Sequence, residues 1–255
     1  MKYNDLQHIH GLLTDMDGVW FVGDEPVPGA AEALSRLRAR RLPVRFVTNT
    51  TTKTAGQLSD KMKRMGLDVP AEEFITTPVA TAHWLRKNGI SRVKLVVADA
   101  VRGVFADFEE SSQPEAVVLG DVHDAFTWHL LQEIFRDVMD GARLVAMHKG
   151  RYWQVEDGLR MDIGAYVAGF EYTTGKAAVV IGKPSREMFS AALSSIGMAA
   201  NDVVMIGDDA DMDVAGAQGA GIRGVLVKTG KYRDERFAAS GVEPDLILDS
   251  IAELP

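Results

Sequence analysis

Asp15 and Asp17 sit one residue apart in Asp15-Met16-Asp17-Gly18-Val19, directly after an apolar run. In an extended segment side chains alternate faces, so the two carboxylates share a side while Met16 points away. Carboxylates that close repel, and the pair persists where a cation sits between them or where one is ionised and the other carries a proton. Three more polar clusters follow apolar runs: Thr48-Asn49, Gly182-Lys183-Pro184 and Gly207-Asp208-Asp209. Together they offer carboxylates, a hydroxyl, an amide and an ammonium. That is the inventory of a magnesium-assisted phosphoryl-transfer site, because Mg²⁺ takes one or two carboxylates completed by waters and a phosphate.

Strand ends must hold these groups, since ligands in open α/β sheets bind outside the carboxyl ends of strands. The chain alternates short apolar runs with helical patterns, as an α/β fold with a parallel sheet requires. Ile9 to Thr14 reads as a strand, Ala30, Ala33, Leu34 and Leu37 keep a helical spacing after Pro28-Gly29, and Val44 to Val47 reads as the second strand. Thr54 opens a helix that stops at Gly66, and Thr77 before Pro78 reads as an N-cap with proline at N1. From there to about Gly175 the alternation repeats, through Val93 to Ala98, a helix from Asp124 to Met139 with Phe126, Leu130 and Ile134 in its core, and Leu144 to Met147. Ala178 to Ile181, Val203 to Ile206, Val225 to Val227 and Leu246 to Leu248 then read as strands of the first sheet. The expected organisation is a core in two pieces, residues 1–76 and 178–255, with an α/β domain, residues 77–177, inserted between them.

With 255 residues and 46% hydrophobic content the chain can bury a substantial core. A net charge of −8, from 36 acidic against 28 basic residues, argues against a nucleic-acid binder. The absence of cysteine excludes disulfides and thiolate chemistry. No run is long and apolar enough for a membrane span, so the expectation is a soluble cytoplasmic protein. Each cluster also has a plainer reading. Asp15 to Gly18 could be a calcium loop, but Val19 and Trp20 stand where the EF-hand template needs an oxygen ligand and glycine. Thr48-Asn49 could be a simple turn. Gly182-Lys183 is not a Walker A loop, because Pro184 replaces the required hydroxyl residue. A response-regulator receiver uses a similar acidic set but is about half this length. A catalytically silent scaffold would not need every chemical position filled. In the inserted stretch His148, Lys149, Arg151, Tyr152 and Trp153 form a basic and aromatic cluster before Asp157-Gly158. It reads equally well as a lid gripping an anionic leaving group and as a hairpin with a half-buried aromatic face. His123 and His129 lack metal-ligand spacing.

The order DxDGV, TN, GKP, GDDxxxD, with the phrases RFVTNTT, AMHKGRYW, VIGKPS and VLVKTGKYR, resembles the haloacid dehalogenase-like hydrolase superfamily, subfamily IIA, and within it the group that contains the phospholysine phosphohistidine inorganic pyrophosphate phosphatases and the haloacid dehalogenase-like hydrolase domain-containing proteins of type two. The resemblance implies a Rossmann-like parallel-sheet core with an inserted α/β cap of the C2 type. It also implies Mg²⁺-dependent hydrolysis of a small phosphorylated substrate through an aspartyl-phosphate, with phosphoramidate or pyrophosphate hydrolysis as the alternative. Carried over by position, Asp15 is the nucleophile and Asp17 the general acid/base. Mg²⁺ is held by the Asp15 side chain, the Asp17 carbonyl and Asp208. Thr48 and Asn49 bond phosphate oxygens, Lys183 neutralises developing charge, and Asp213 orients waters or Lys183. A homodimer through the cap is a further expectation from the same source.

Overall fold

Short runs of β-branched and other apolar residues become strands here, and amphipathic runs between them become helices. The computed structural model describes residues 2–155 and 158–255; Asp157, half of the expected Asp157-Gly158 turn, lies outside them. In chain order the first elements are β1 (Gly11–Thr14), β2 (Phe21–Val22), β3 (Glu25–Pro26), α1 (Ala30–Ala39), β4 (Val44–Thr48), α2 (Ala55–Arg64), β5 (Phe74–Thr76) and α3 (Thr77–Lys87). Next come β6 (Arg92–Val96), β7 (Glu109–Glu110), β8 (Ala116–Leu119), α4 (Trp128–Met139), β9 (Arg143–Ala146), β10 (Tyr152–Val155), β11 (Gly158–Met161), α5 (Gly164–Thr174) and β12 (Val179–Val180). The chain ends with α6 (Arg186–Ile196), β13 (Val203–Gly207), α7 (Gly216–Gly219), β14 (Arg223–Val227), α8 (Asp234–Ser240) and β15 (Leu246–Leu248).

The chain divides into two compact units, the first comprising Met1–Thr48, Ala55–Ile75 and Lys183–Pro255, the second Asn49–Thr54 and Thr76–Gly182. In the first unit six strands run in the order β15-β14-β13-β1-β4-β5. The pairings of β1 with β13 and with β4, and of β13 with β14 and β14 with β15, are parallel. The chain fills the sheet outward from β1 through β4 to β5, then returns to β13 and proceeds the other way. The order therefore reverses between β1 and β13, and such a switch point opens a crevice at the carboxyl ends. Leu12, Phe46, Val204, Ile206, Leu37 and Trp20 are buried in one cluster beneath it.

The second unit holds five strands in the order β12-β9-β8-β6-β7, also parallel in the pairs formed, with α4 and α5 supplying Ile134, Val138, Val167 and Phe170 to its core. A separate antiparallel hairpin joins β10 to β11 with Tyr152 opposite Met161. The segment after β4 belongs to this unit because the Thr77 hydroxyl donates to the Thr50 carbonyl at 2.6 Å. No helix among the described residues is long and apolar enough to cross a membrane.

Three local expectations are corrected. The run Ala178 to Ile181, read as a strand of the first sheet, pairs instead with β9 of the second, Val179 opposite Val145. The N-cap of α3 is Thr76, whose hydroxyl accepts the Val79 N–H at 3.4 Å; Thr77 is already helical. The helix expected from Asp124 begins at Trp128 because Thr127 adopts extended backbone and its hydroxyl takes the Leu130 N–H. Phe126 consequently lies before α4 and stacks on Tyr166 at 4.0 Å.

Candidate active site

Asp15 leaves β1 at the switch point, its N–H bonded to the Ile206 carbonyl of β13 at 2.8 Å. The preceding Thr14 is buried, and its hydroxyl accepts the indole N–H of fully buried Trp20 at 2.8 Å. The loop carrying the aspartates is thus tied back to the core that positions it. One strand over, Asp208 follows Gly207 at the end of β13, and Asp213 lies within the wide helical turn Ala210–Ala215.

Lys183 is buried between two carboxylates, with Nζ 2.7 Å from Asp15 Oδ1 and 2.7 Å from Asp213 Oδ1. Burial alone would depress this ammonium, but Asp15 and Asp213 hold it well above the ordinary lysine range, so Lys183 keeps its charge. Burial pushes Asp213 up and Lys183 pulls it back. The second Asp213 oxygen accepts the Asp209 N–H at 3.1 Å, so both of its oxygens are engaged. Asp209 caps the following turn by accepting the N–H groups of Asp211 and Met212, each at 3.1 Å, and its other oxygen receives Arg236 at 3.3 Å.

Asp208 differs. Its Oδ2 accepts the Lys231 backbone N–H at 2.6 Å, while its buried Oδ1 has no hydrogen-bond partner among the described residues. Desolvation, with the charge of Asp15, pushes this carboxyl up to about 6. Oxygens of Asp15, Asp208 and Asp213 lie within 4.8 Å of one another. A hard divalent cation fits this set, because it would satisfy the orphaned Asp208 oxygen and take only oxygen donors. Asp213, with both oxygens occupied, stands behind Lys183.

Asp17 remains solvent-exposed at the mouth of the loop. Desolvation raises its carboxyl above the usual range; Lys231 opposes the rise and Asp15 adds to it. Thr48 ends β4 beside β1 in the same unit, whereas Asn49 begins the second unit, its Oδ1 over the α-carbon of Gly182. The structure therefore brings Asp15, Lys183, Asp208 and Asp213 together, with Asp17 at the entrance. Lys183 reaches them from the turn between β12 and α6, not from the end of a strand of that sheet.

Gly18 makes the approach of these loops feasible. It has φ +86°, and a Cβ there would fall 1.9 Å from Asp208 Oδ2. Gly18→Ala is expected to lose activity against p-nitrophenyl phosphate and to destabilise the fold by more than Gly66→Ala. Gly66 shares the left-handed backbone at φ +78° but would meet nothing within 4 Å, so its cost is the backbone term alone, about 1–2 kcal/mol. Equal melting shifts and equal activities for the two variants would refute the crowding argument.

Sequence reasoning noted Thr229-Gly230-Lys231 only within the phrase VLVKTGKYR and gave them no role, yet they dock on the aspartate loop. The Thr229 hydroxyl donates to the Gly18 carbonyl, and a Cβ at Gly230 would fall 2.2 Å from the Gly18 α-carbon. The signal was available, since these residues are the polar cluster just after β14. In the second unit, His148 is buried with Nδ1 accepting the Gly150 N–H at 3.0 Å and Nε2 3.6 Å from Asp162. Burial lowers its pKa against the pull of Asp162. Lys149 pairs with Glu171, and Arg151 and Tyr152 are exposed, so Tyr152 does not form the half-buried aromatic face that one reading required. His129 pairs with Glu133 at 3.0 Å on the α4 surface and His123 with Asp121 at 3.3 Å.

Two family profiles match the chain, one described as haloacid dehalogenase-like hydrolase over residues 12–109, the other as HAD-hydrolase-like over residues 180–254. The haloacid dehalogenase-like hydrolase domain-containing protein 2 of Bos taurus is 41% identical over 225 residues, covering 88% of this chain and 86% of that protein. The phospholysine phosphohistidine inorganic pyrophosphate phosphatase of Homo sapiens is 36% identical over 254 residues, covering 97% and 93%. Among solved structures, the p-nitrophenyl phosphatase from Archaeoglobus fulgidus matches with a TM-score of 0.89 at 27% identity, covering 96% of this chain and 97% of that one. NagD from E. coli K-12 matches with a TM-score of 0.89 at 28% identity, covering 97% and 98%.

Proposed function

The chain belongs to the haloacid dehalogenase-like hydrolases and is a phosphatase with a Rossmann-like core and an inserted α/β cap, and from that premise we propose that Asp15 carries the phosphoryl group during turnover. The observation that supports this most directly is the buried Asp15 carboxylate held at 2.7 Å by Lys183, with the orphaned Asp208 oxygen in the same cluster. Asp15 attacks phosphorus as the bond from phosphorus to the leaving oxygen breaks. Asp17 gives that oxygen its proton, then takes a proton from the water that hydrolyses the aspartyl-phosphate. Lys183, pinned by Asp213, keeps its charge beside Asp15 throughout. Thr48 and Asn49 are assigned to phosphate oxygens. A divalent cation, Mg²⁺ by the hardness of the donors, would be held by Asp15, Asp208 and the Asp17 carbonyl and would withdraw charge from the phosphoryl oxygens.

The substrate class is small phosphorylated molecules. The relatives named for phospholysine, phosphohistidine and pyrophosphate support extending it to P–N and phosphoanhydride bonds. Phosphate release measured over sugar phosphates, nucleotides, phospho-amino acids and pyrophosphate separates these classes. In the same assay EDTA is expected to reduce p-nitrophenyl phosphate turnover to background, and excess Mg²⁺ to restore it. Full activity in EDTA would remove the cation from the proposal.

A further inference from the structure

Asp209 is buried beside Asp208, yet both of its carboxylate oxygens are committed to protein groups. Oδ1 accepts the N–H groups of Asp211 and Met212, each at 3.1 Å, and Oδ2 receives Arg236 at 3.3 Å. So engaged, it has no oxygen to offer a cation and no hydrogen to offer a phosphate. Its effect falls on the turn that follows. The first N–H groups of a helical turn have no carbonyl within it to bond, and a side chain at the N-cap takes them. The turn Ala210–Ala215 is also wider than an α-helix, a rare form often found at functional sites.

Asp209 and Asp213 are tied to each other in both directions. The Asp213 N–H donates to the Asp209 carbonyl at 3.0 Å, and the Asp209 N–H donates to Asp213 Oδ2 at 3.1 Å. On another side Asp213 lies against Gly207, where a Cβ would fall 2.2 Å from the Asp213 Cβ. With one oxygen on the Asp209 N–H, the other stands 2.7 Å from Lys183 Nζ, which lies 2.7 Å from Asp15 Oδ1. A continuous path of polar contacts thus runs from Asp209 through Asp213 and Lys183 to Asp15. We propose that Asp209 is a positioning residue of this phosphatase: its carboxylate fixes the turn, its N–H orients Asp213, and Asp213 thereby holds the Lys183 ammonium on Asp15. The proposal rests on the reading of Asp15 and Lys183 as the groups that meet the phosphoryl group. A misplaced ammonium still attracts a bound dianion but stabilises the charge that develops in the transition state less well, so the loss belongs in kcat and not in KM.

The test is steady-state turnover of p-nitrophenyl phosphate by the full chain with saturating Mg²⁺, at a temperature where melting curves show each variant folded. Asp209→Ala is expected to lower kcat by about tenfold to a hundredfold, with KM within about twofold of wild type. Asp209→Asn keeps an oxygen for the two N–H groups, and Arg236, whose side chain is 61% exposed, can turn away from the amide. Its kcat should stay within about threefold of wild type, because asparagine caps as well as aspartate. Since Asp209 acts through Asp213, Asp209→Ala should cost little further in an Asp213→Ala background, whereas two independent structural losses would multiply. A measurement without turnover or metal reads the turn itself: amide hydrogen exchange over residues 208–215 should be faster in Asp209→Ala and unchanged in Asp209→Asn. A wild-type kcat or unchanged exchange in Asp209→Ala overturns the proposal, as does a loss carried by KM alone. A loss in Asp209→Asn as deep as in Asp209→Ala, or multiplicative losses with Asp213→Ala, overturns it equally. Failure of the Asp15 assignment is read separately, as the absence of hydroxylamine-labile phosphate on acid-quenched wild-type enzyme, and would leave these ratios as they are.

Discussion

Asp15→Asn is expected to lower p-nitrophenyl phosphate turnover by at least about a thousandfold while leaving the fold intact, because the amide has no charge with which to attack phosphorus. The substitution is nearly isosteric in a buried position, and the asparagine oxygen can still accept from Lys183. Lys183 also keeps its second partner, Asp213 at 2.7 Å, so no buried ammonium is orphaned. Loss of rate without loss of melting temperature would locate the effect in chemistry. A second readout addresses the intermediate: acid-quenched wild-type enzyme should carry phosphate that hydroxylamine removes, as an acyl phosphate requires, and the variant should carry none. A variant that turns over at a comparable rate, or that still becomes labelled, would reassign the nucleophile.

How much of this site could be read from the chain follows from how each residue is held. Asp15, Asp17 and Asp208 were legible because each follows a strand of the same sheet, where side-chain alternation and the switch-point rule both operate. Lys183 was legible by type, but its setting was not. Both sheets are parallel and built from short apolar runs, so nothing in Ala178 to Ile181 says whether that segment pairs with β9 or with the first sheet; the partner is distant in sequence. Thr76 and Thr77 are equally good caps by residue type, and only backbone angles separate them. Lys231 escaped because its structural contact is made by the backbone N–H, which every residue but proline carries, and because the glycine beside it reports close packing without naming the partner. Asp213 was read as orienting waters or Lys183, and the structure places its Oδ1 2.7 Å from the Lys183 ammonium.

The largest stability effect is expected from Lys183→Met. Methionine matches the length of the lysine stem but leaves the buried carboxylates of Asp15 and Asp213 facing each other with no cation between them. Breaking a buried pair by removing one partner costs about 3–5 kcal/mol, because the surviving charge has lost both water and its counter-ion. In a chain of this size that corresponds to a melting temperature lower by roughly 6–20 °C. Lys183→Arg keeps the charge, but a planar fork cannot point one donor at each of two carboxylates as a tetrahedral ammonium does, so it should recover part of the stability and little of the activity. The decisive comparison is Lys183→Met combined with Asp213→Asn. If Asp213 is buried for the sake of Lys183, neutralising it should be destabilising in the wild type and stabilising in the Lys183→Met background, a coupling of about 1–3 kcal/mol measured by denaturant unfolding. Strictly additive effects would mean that Asp213 is held by its bond to the Asp209 N–H and not by the ammonium, and the ion pair would lose its place as the brace of Asp15.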